Sequence, residues 1–424
     1  MTPATRLAAL LTGLSGRPLP FHLTAWDGST AGPADGPSVV LRNRRALRRL
    51  LWQPGELGLA EAYLSGDLEV VGELAPALSQ VRAALAGLGP LRPGLRDWPG
   101  LLATAARLGA LGPRPAPVGG RARVHGTLHS RARDRAVISH HYDLSNEFYA
   151  LLLGPAMAYS CGYWTPKSDS LQSAQEAKFD LICRKLALHP GSRLLDVGCG
   201  WGALAVHAAR HYGAQVTAVT LSQRQHAFAT AAVDSAGLGD LVTVRLRDYR
   251  EIADGPYDAI SCVEMGEHVG DQQYPAFARR LHGLLHPQGR LLVQQMSRGS
   301  AAPGGGAFIE TYIAPDMSMR PVGETVALLE TAGLEVRNVE ALREHYARTI
   351  DAWYENLRER RPDFTALVGE VTVRLWQLYL AGSSLAFSER RMGVDQILAV
   401  RPTAAGASGA SATPADWYQG QGQP

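Results

Sequence analysis

Cysteine is scarce in this chain and spaced for neither metal nor disulfide chemistry. The four thiols, Cys161, Cys183, Cys199 and Cys262, contain no CxxC pair, which leaves no zinc signature and no disulfide framework and fits a reducing compartment. Long apolar runs are missing too. Nothing reaches the roughly 18 residues of a membrane span, and the N-terminus has no extended apolar core of a signal peptide. Any meeting with a membrane would therefore be from the side. Charge excess is also lacking: the net charge is only +3 over 424 residues, which gives no sign of a nucleic-acid partner.

What is there suggests two domains, since one domain averages about 100 to 200 residues. Residues 1–85 read as a small mixed α/β domain, with alternating segments Pro20–Thr24 and Ser38–Leu41 as strands. Between them and a second helical stretch lies Asn43–Trp52, in which Leu47, Leu50 and Leu51 share a helical face while Arg44, Arg45, Arg48 and Arg49 sit largely off it. This is a basic amphipathic helix, and it reads first as a core-packed helix with a solvated cationic side and second as a contact for anionic headgroups. Residues 86–120, rich in Gly, Pro, Leu and Ala and including Pro113-Arg-Pro-Ala-Pro117, read as a linker. A second basic cluster follows: Arg121, Arg123, Arg131, Arg133 and Arg135. Residues 121–402 form the second domain, and the Ala/Gly/Ser/Gln-rich 403–424 reads as a disordered tail.

In the second domain, strands at Arg193–Val197, Gln215–Leu221, Val242–Arg247, Ala259–Val263 and Arg290–Gln295 alternate with helices. That is the pattern of a doubly wound α/β sheet. The first strand runs into Asp196-Val197-Gly198-Cys199-Gly200-Trp201-Gly202 and then directly into a helix. Glycines there let backbone N–H groups at a helix start approach a ligand. The dinucleotide fingerprint is GxGxxG with an acidic residue about 20 positions on. Here the spacing is GxGxG, and the second strand ends in Thr220-Leu221-Ser222-Gln223, with no carboxylate for a nicotinamide ribose. S-adenosyl-L-methionine fits better than NAD.

Three stretches make the chain recognisable: His140-His-Tyr-Asp-Leu-Ser-Asn-Glu-Phe-Tyr149, Met157-Ala-Tyr-Ser-Cys-Gly-Tyr-Trp164, and the Asp196 loop with Thr220–Gln225. Together with Glu267-His-Val-Gly270, Tyr346-Ala-Arg-Thr349 and Gly393–Val400 they resemble the cyclopropane-fatty-acyl-phospholipid synthases and their mycolic-acid relatives. The resemblance covers residues 135–402 most strongly; residues 1–85 resemble the lipid-binding domain of longer members. It implies a class I S-adenosylmethionine-dependent methyltransferase fold, Rossmann-like, and a reaction at a cis double bond of an unsaturated acyl chain in phospholipid. By the same resemblance the cofactor is held by Tyr159, Ser160, Asp196, Val197, Gly198, Cys199, Gly200, Trp201, Gly202, Thr220, Leu221, Ser222, Gln225, Asp248 and Tyr249. Ser222 and Gln225 are suited to ribose hydroxyls, Asp248 to an adenine amino group, and Tyr249 to stacking.

An alkene methylated by a sulfonium passes through a carbocation-like species that water would destroy, so the site must be dry. Tyr142, Tyr159, Tyr163, Trp164 and Tyr346 are candidate aromatic faces for it. In cyclopropane synthases a bound bicarbonate takes the proton, near residues matching Cys161, Glu267, a histidine and Tyr346. Here the histidine position is Gln294, which can hydrogen-bond but cannot carry a proton. Loss of a methyl proton closes a cyclopropane; a prior hydride shift leaves a 10-methylene chain, the precursor of a methyl branch, and Gln294 tilts the expectation that way. Glu267 is the expected leading catalytic carboxylate. The resemblance further implies a homodimer, a reductase acting on a methylene product, and a cytoplasmic protein peripheral at the inner membrane face. Two rivals stand beside this reading, a methyltransferase for a small polar acceptor and a catalytically silent lipid-binding relative.

Overall fold

The structure, a computed structural model, describes residues 1–86, 98–121, 126–130, 133, 134, 137, 144–299, 306–411 and 413–418. His140, His141 and Tyr142, and Arg123, Arg131 and Arg135 of the second basic cluster, lie outside the described residues. The chain divides into two compact units. The first comprises Met1–Arg121, Gly306–Tyr312 and Arg361–Leu385; the second comprises Ala122–Gly305, Ile313–Arg360 and Ala386–Pro424. The first unit takes in the described residues of the 86–120 stretch that reads as a linker in the sequence, and two later segments belong with it. Trp98–Arg107 within that stretch is helical.

In the first unit, β1 (His22–Thr24), β2 (Thr30–Ala31), β3 (Ser38–Leu41) and β4 (Leu68–Val71) form a sheet of order β2-β1-β3-β4. The two returning segments are tied in by side chains. Arg374 donates to the carbonyls of Tyr63 and Leu68 at 2.7 and 3.2 Å and pairs with Glu69 at 2.9 Å. The Tyr312 hydroxyl donates to Glu61 at 2.8 Å, and Arg121 pairs with the same carboxylate.

The second unit is built on seven strands: β5 (Arg193–Val197), β6 (Gln215–Thr220), β7 (Val242–Leu246), β8 (Tyr257–Val263), β9 (Leu285–Ser297), β10 (Glu335–Ala341) and β11 (Gly393–Val400). Their order is β10-β11-β9-β8-β5-β6-β7. The five expected strands are the parallel core. Strands β10 and β11 extend it, with β11 antiparallel to both neighbours. Leu194, Leu195, Ala259, Ile260, Leu291 and Leu292 have no exposed surface, as expected for parallel strands covered on both faces. The helix Ala203–Tyr212 lays Ala205, Ala208 and Ala209 against the sheet; side chains this small let it come close, and Gly213 at φ +64° ends it.

The C-terminal stretch corrects the expectation of a disordered tail. Among its described residues, Trp417 is buried beside Leu181 and Leu398, and the Tyr418 hydroxyl donates to Glu340 at 3.0 Å. A large apolar ring had a place to go, which composition alone does not reveal. Among the described residues, no helix is long and apolar enough to cross a membrane.

Candidate active site

The carboxyl ends of β5, β6 and β8 open onto one cavity. Its wall includes Tyr159, Ser160, Asp196, Val197, Gly198, Cys199, Gly200, Trp201, Thr220, Leu221, Gln225 and Tyr249, with Lys178, Glu264, Met265 and Arg250. This is where open α/β sheets take ligands. Gly198, Gly200 and Gly202 all have positive φ, +79°, +54° and +87°, a backbone that L side chains rarely adopt. A Cβ at Gly200 would meet nothing within 4 Å, so the missing side chain leaves room in the cavity.

Buried polar atoms show what fits there. Asp196 accepts from the Ser261 hydroxyl at 2.8 Å through Oδ1, while its buried Oδ2 has no partner among the described residues. Burial raises this carboxyl to about 6, with Ser261 and Lys178 pulling the other way. Lys178, 1 % exposed, donates to the Ser160 hydroxyl at 2.7 Å; burial lowers its ammonium to about 8 against the attraction of Glu264, Cys161 and Asp196. A buried cation and a buried anion with spare bonding capacity suit the carboxylate and ammonium of an α-amino acid, the methionyl end of S-adenosylmethionine.

The remaining expected cofactor residues divide. Trp201 is fixed by its indole N–H to Asn146 at 3.0 Å and lies on Tyr149 at 4.7 Å, and Tyr159 lies on Trp353 at 5.1 Å. Gln225 accepts from the Thr220 hydroxyl at 2.8 Å, which turns its amide nitrogen away from that bond. Ser222 and Gly202 stand off the cavity wall: the Ser222 hydroxyl caps the helix Gln223–Ser235, and Gly202 precedes the helix Ala203–Tyr212. Asp248 also stands off the cavity wall. Arg250 takes both its oxygens, at 2.8 and 2.6 Å, which fixes the carboxylate and leaves it further acceptor sites.

A buried hydrogen-bond cluster at the cavity wall is organised around a residue that its motif position does not single out. Glu264 is the first residue after β8, at φ +50°, strain of the kind that persists where the surroundings hold it. Its Oε1 accepts from the Cys161 N–H and from Gln294 Nε2, each at 2.8 Å, and its Oε2 from the Tyr346 hydroxyl at 2.5 Å. Three of the four expected catalytic residues, Cys161, Gln294 and Tyr346, therefore converge on this carboxylate. Burial raises the Glu264 carboxyl, and these donors work against that rise. The Cys161 thiol is pushed well up by burial, so it stays neutral and contributes its backbone N–H.

Glu267 is placed differently from expectation. It is 1 % exposed and not on the cavity wall; Oε1 accepts from the Met296 N–H at 2.5 Å, and buried Oε2 has no partner among the described residues. Burial first, and the nearby Glu264 charge second, push its carboxyl up to about 8. It fastens the turn after β8 to β9. Of the other aromatics, Trp164 donates through its indole N–H to Thr349 at 3.0 Å and Tyr163 stacks on His345 at 4.9 Å.

Two signals could have exposed the missed groups. Glu264 sits one residue beyond the apolar strand Ala259–Val263, at the edge where ligands bind. Lys178 and Lys185 fall seven apart on the buried stripe Ala174, Lys178, Leu181 and Lys185 of the helix Leu171–Lys185, and a charge on an apolar stripe is seldom idle.

Comparison with known proteins identifies the family. The family model described as mycolic acid cyclopropane synthetase matches residues 129–397. A probable fatty acid methyltransferase of Mycobacterium tuberculosis is 38% identical over 90% of this chain and 91% of its own length. A probable fatty acid methyltransferase of Pseudomonas putida is 34% identical over 97% and 100%. Among solved structures, a cyclopropane synthase of Mycobacterium tuberculosis superposes with a TM-score of 0.61 at 30% identity, covering 65% of this chain and 99% of that one. A mycolic acid cyclopropane synthase complexed with SAH and CTAB gives 0.60 at 32%, covering 62% and 97%. The chain belongs to the mycolic acid cyclopropane synthetase family and is an S-adenosylmethionine-dependent methyltransferase.

Proposed function

We propose that this enzyme methylates the cis double bond of an unsaturated fatty acyl chain in phospholipid, and that Glu264 is its base. The carrying observation is the convergence of the Cys161 N–H, the Tyr346 hydroxyl and Gln294 on the Glu264 carboxylate at the wall of the cofactor cavity. In the cyclopropane synthases these positions are expected to hold a bicarbonate. Here the chain supplies its own carboxylate at that point, so the reaction needs no borrowed anion.

S-adenosylmethionine, when bound, supplies an electrophilic methyl group. The residues do the rest. Methyl addition to one alkene carbon leaves a cation on its neighbour. A hydride shift from the methylated carbon moves the charge to that carbon, and Glu264 takes a proton from the new methyl group, whose C–H electron pair becomes the exocyclic double bond. The carboxylate becomes a carboxylic acid. The Tyr346 ring, backed by Trp353 and Phe387 at 6.0 and 4.6 Å between ring centroids, gives a cation an aromatic neighbour. The methylene outcome is favoured over the cyclopropane by Gln294 and by likeness to a tuberculostearic acid methyltransferase, 32% identical over 90% of this chain. A methylene product would need a separate two-electron reductase to become a methyl branch.

A lipid-borne substrate is supported by the first unit. Arg44, Arg45 and Arg48 line a concavity with Trp26 and Asn43, and on the same helix Leu51 and Trp52 are 50% and 53% exposed, a combination suited to a headgroup layer. Peripheral attachment to the cytoplasmic membrane face and a homodimer belong to the same proposal. The test is incubation with methyl-labelled donor and oleoyl-phospholipid vesicles, then mass spectrometry and proton NMR of the acyl chains. Vinylidene protons are expected. Cyclopropane protons would overturn the product assignment, and absence of label from lipid would overturn the substrate.

A further inference from the structure

Behind Gln294 runs a polar row that crosses three strands of the sheet. Register places Glu340 of β10 opposite Gln396 of β11, and Gln396 opposite Gln294 of β9, so the three side chains share one face. Gln294 and Gln396 have no exposed surface. Lys185, also without exposed surface, reaches the row from the helix Leu171–Lys185 and donates to Gln396 Oε1 at 2.9 Å and to Glu340 Oε2 at 2.5 Å. Gln396 Nε2 then donates to Gln294 Oε1 at 2.9 Å, and Gln294 Nε2 donates to Glu264 at 2.8 Å.

The direction of this chain follows from valence. An ammonium has three donors and no acceptor, whereas an amide has one acceptor end and one donor end. Lys185 therefore compels Gln396 to turn its oxygen inward, which turns its NH2 toward Gln294, which in turn leaves Gln294 only its NH2 for Glu264. A free amide could turn either end to the carboxylate. In a buried site the wrong end would set a carbonyl oxygen against a carboxylate oxygen, a costly arrangement in low dielectric.

We propose that Lys185 and Gln396 are positioning residues which lock the Gln294 amide with its NH2 toward Glu264. This rests on the reading of Glu264 as the base. The arrangement answers how glutamine serves at a position where a histidine would choose its own tautomer: orientation is imposed along the same face of the sheet, from the β10 side. The other groups facing Glu264 are unaltered by the device. They are Tyr346 from the helix Arg343–Glu359, Cys161 from the segment before the helix Leu171–Lys185, Lys178 from that helix, and Glu267 from the turn after β8.

The test uses the full-length enzyme, labelled donor and oleoyl-phospholipid vesicles, with kcat followed across pH and donor binding measured by calorimetry. Gln396→Glu keeps the shape and, ionised beside the Lys185 ammonium, offers only acceptors, so Gln294 must turn its NH2 toward the introduced carboxylate and its oxygen toward Glu264. Ionised Glu264 is then disfavoured, and the acidic limb of kcat is expected to move up by about one pH unit, with donor affinity unchanged. Lys185→Met, which frees both amides to turn, is expected to move the limb the same way by less. A limb that stays at the wild-type pH in a variant that still binds donor overturns the proposal. Neutron diffraction of the wild-type protein decides the same point without a variant: amide hydrogens of Gln294 facing Glu264 support it, and amide hydrogens facing Gln396 overturn it. Glu264→Gln separates the two ideas. Loss of roughly 100-fold or more in kcat with donor binding retained upholds Glu264 as base, whatever the Gln396 result; near-normal turnover removes the base reading and leaves the amide orientation to neutrons.

Discussion

Two carboxylates three residues apart have been given different work by their surroundings. Glu264 has donors on both oxygens and faces the cavity, whereas Glu267 has one oxygen on the Met296 N–H and the other buried without a partner among the described residues. The second arrangement favours the protonated acid, and its effect on stability has a definite sign. The Glu267 carboxyl is raised from 4.5 to about 8, so its contribution is complete below the unfolded-state value and is lost as pH rises through about 8. Glu267→Gln removes that dependence while its amide oxygen can still accept from Met296. Urea unfolding between roughly pH 5 and pH 9 should therefore show wild type losing stability relative to the variant as pH rises. A constant difference across the range would show that Glu267 is ionised in the folded protein. The family resemblance and its place after a strand end marked Glu267 as the leading carboxylate, because motif position conveys which residues gather near a site and not which atoms face the cavity.

At the scale of elements, the glycine turn between β5 and the helix Ala203–Tyr212 carries the site's geometry. Gly202 has φ +87°, and a Cβ there would lie 2.9 Å from the Ala229 Cβ, on the helix Gln223–Ser235 that follows the second strand of the sheet. Gly202→Ala must both adopt an unfavourable backbone and push two helices apart. A loss of about 1–3 kcal/mol in urea unfolding is expected, with weaker donor binding by calorimetry; unchanged stability would mean that the turn can relax. The turn was readable in advance because only glycine suits such angles. The five parallel strands were readable for a similar local reason, each being a short apolar run bounded by turns. Strands β10 and β11 were not read as strands, since Arg337-Asn338 breaks the alternation of Glu335–Ala341 where the pairing register also shifts, and β11 pairs antiparallel with a strand about a hundred positions earlier.

For the whole molecule, chain order and spatial order part company. The first unit needs segments 306–312 and 361–385 in addition to residues 1–121, and Arg374 satisfies the Tyr63 and Leu68 carbonyls. A fragment of residues 1–121 loses those bonds together with the Tyr312 bond to Glu61. Such a fragment is expected to melt without a cooperative transition by circular dichroism. A sharp transition would show that residues 1–121 form an independent domain.

The sequence by itself determined the doubly wound sheet, the cofactor and the family. Each of those rests on local requirements, namely apolar runs, glycines at left-handed turns and short motifs in a fixed order. Tertiary structure alone decided which carboxylate receives the Cys161, Gln294 and Tyr346 donors, and which way the Gln294 amide points. Those answers depend on Tyr346, Gln396 and Lys185, residues about 80 to 130 positions away from Glu264 in the chain, which sheet register and helix packing bring together. Hydrogen-bond direction is a property of assembled neighbours, and no single segment contains it.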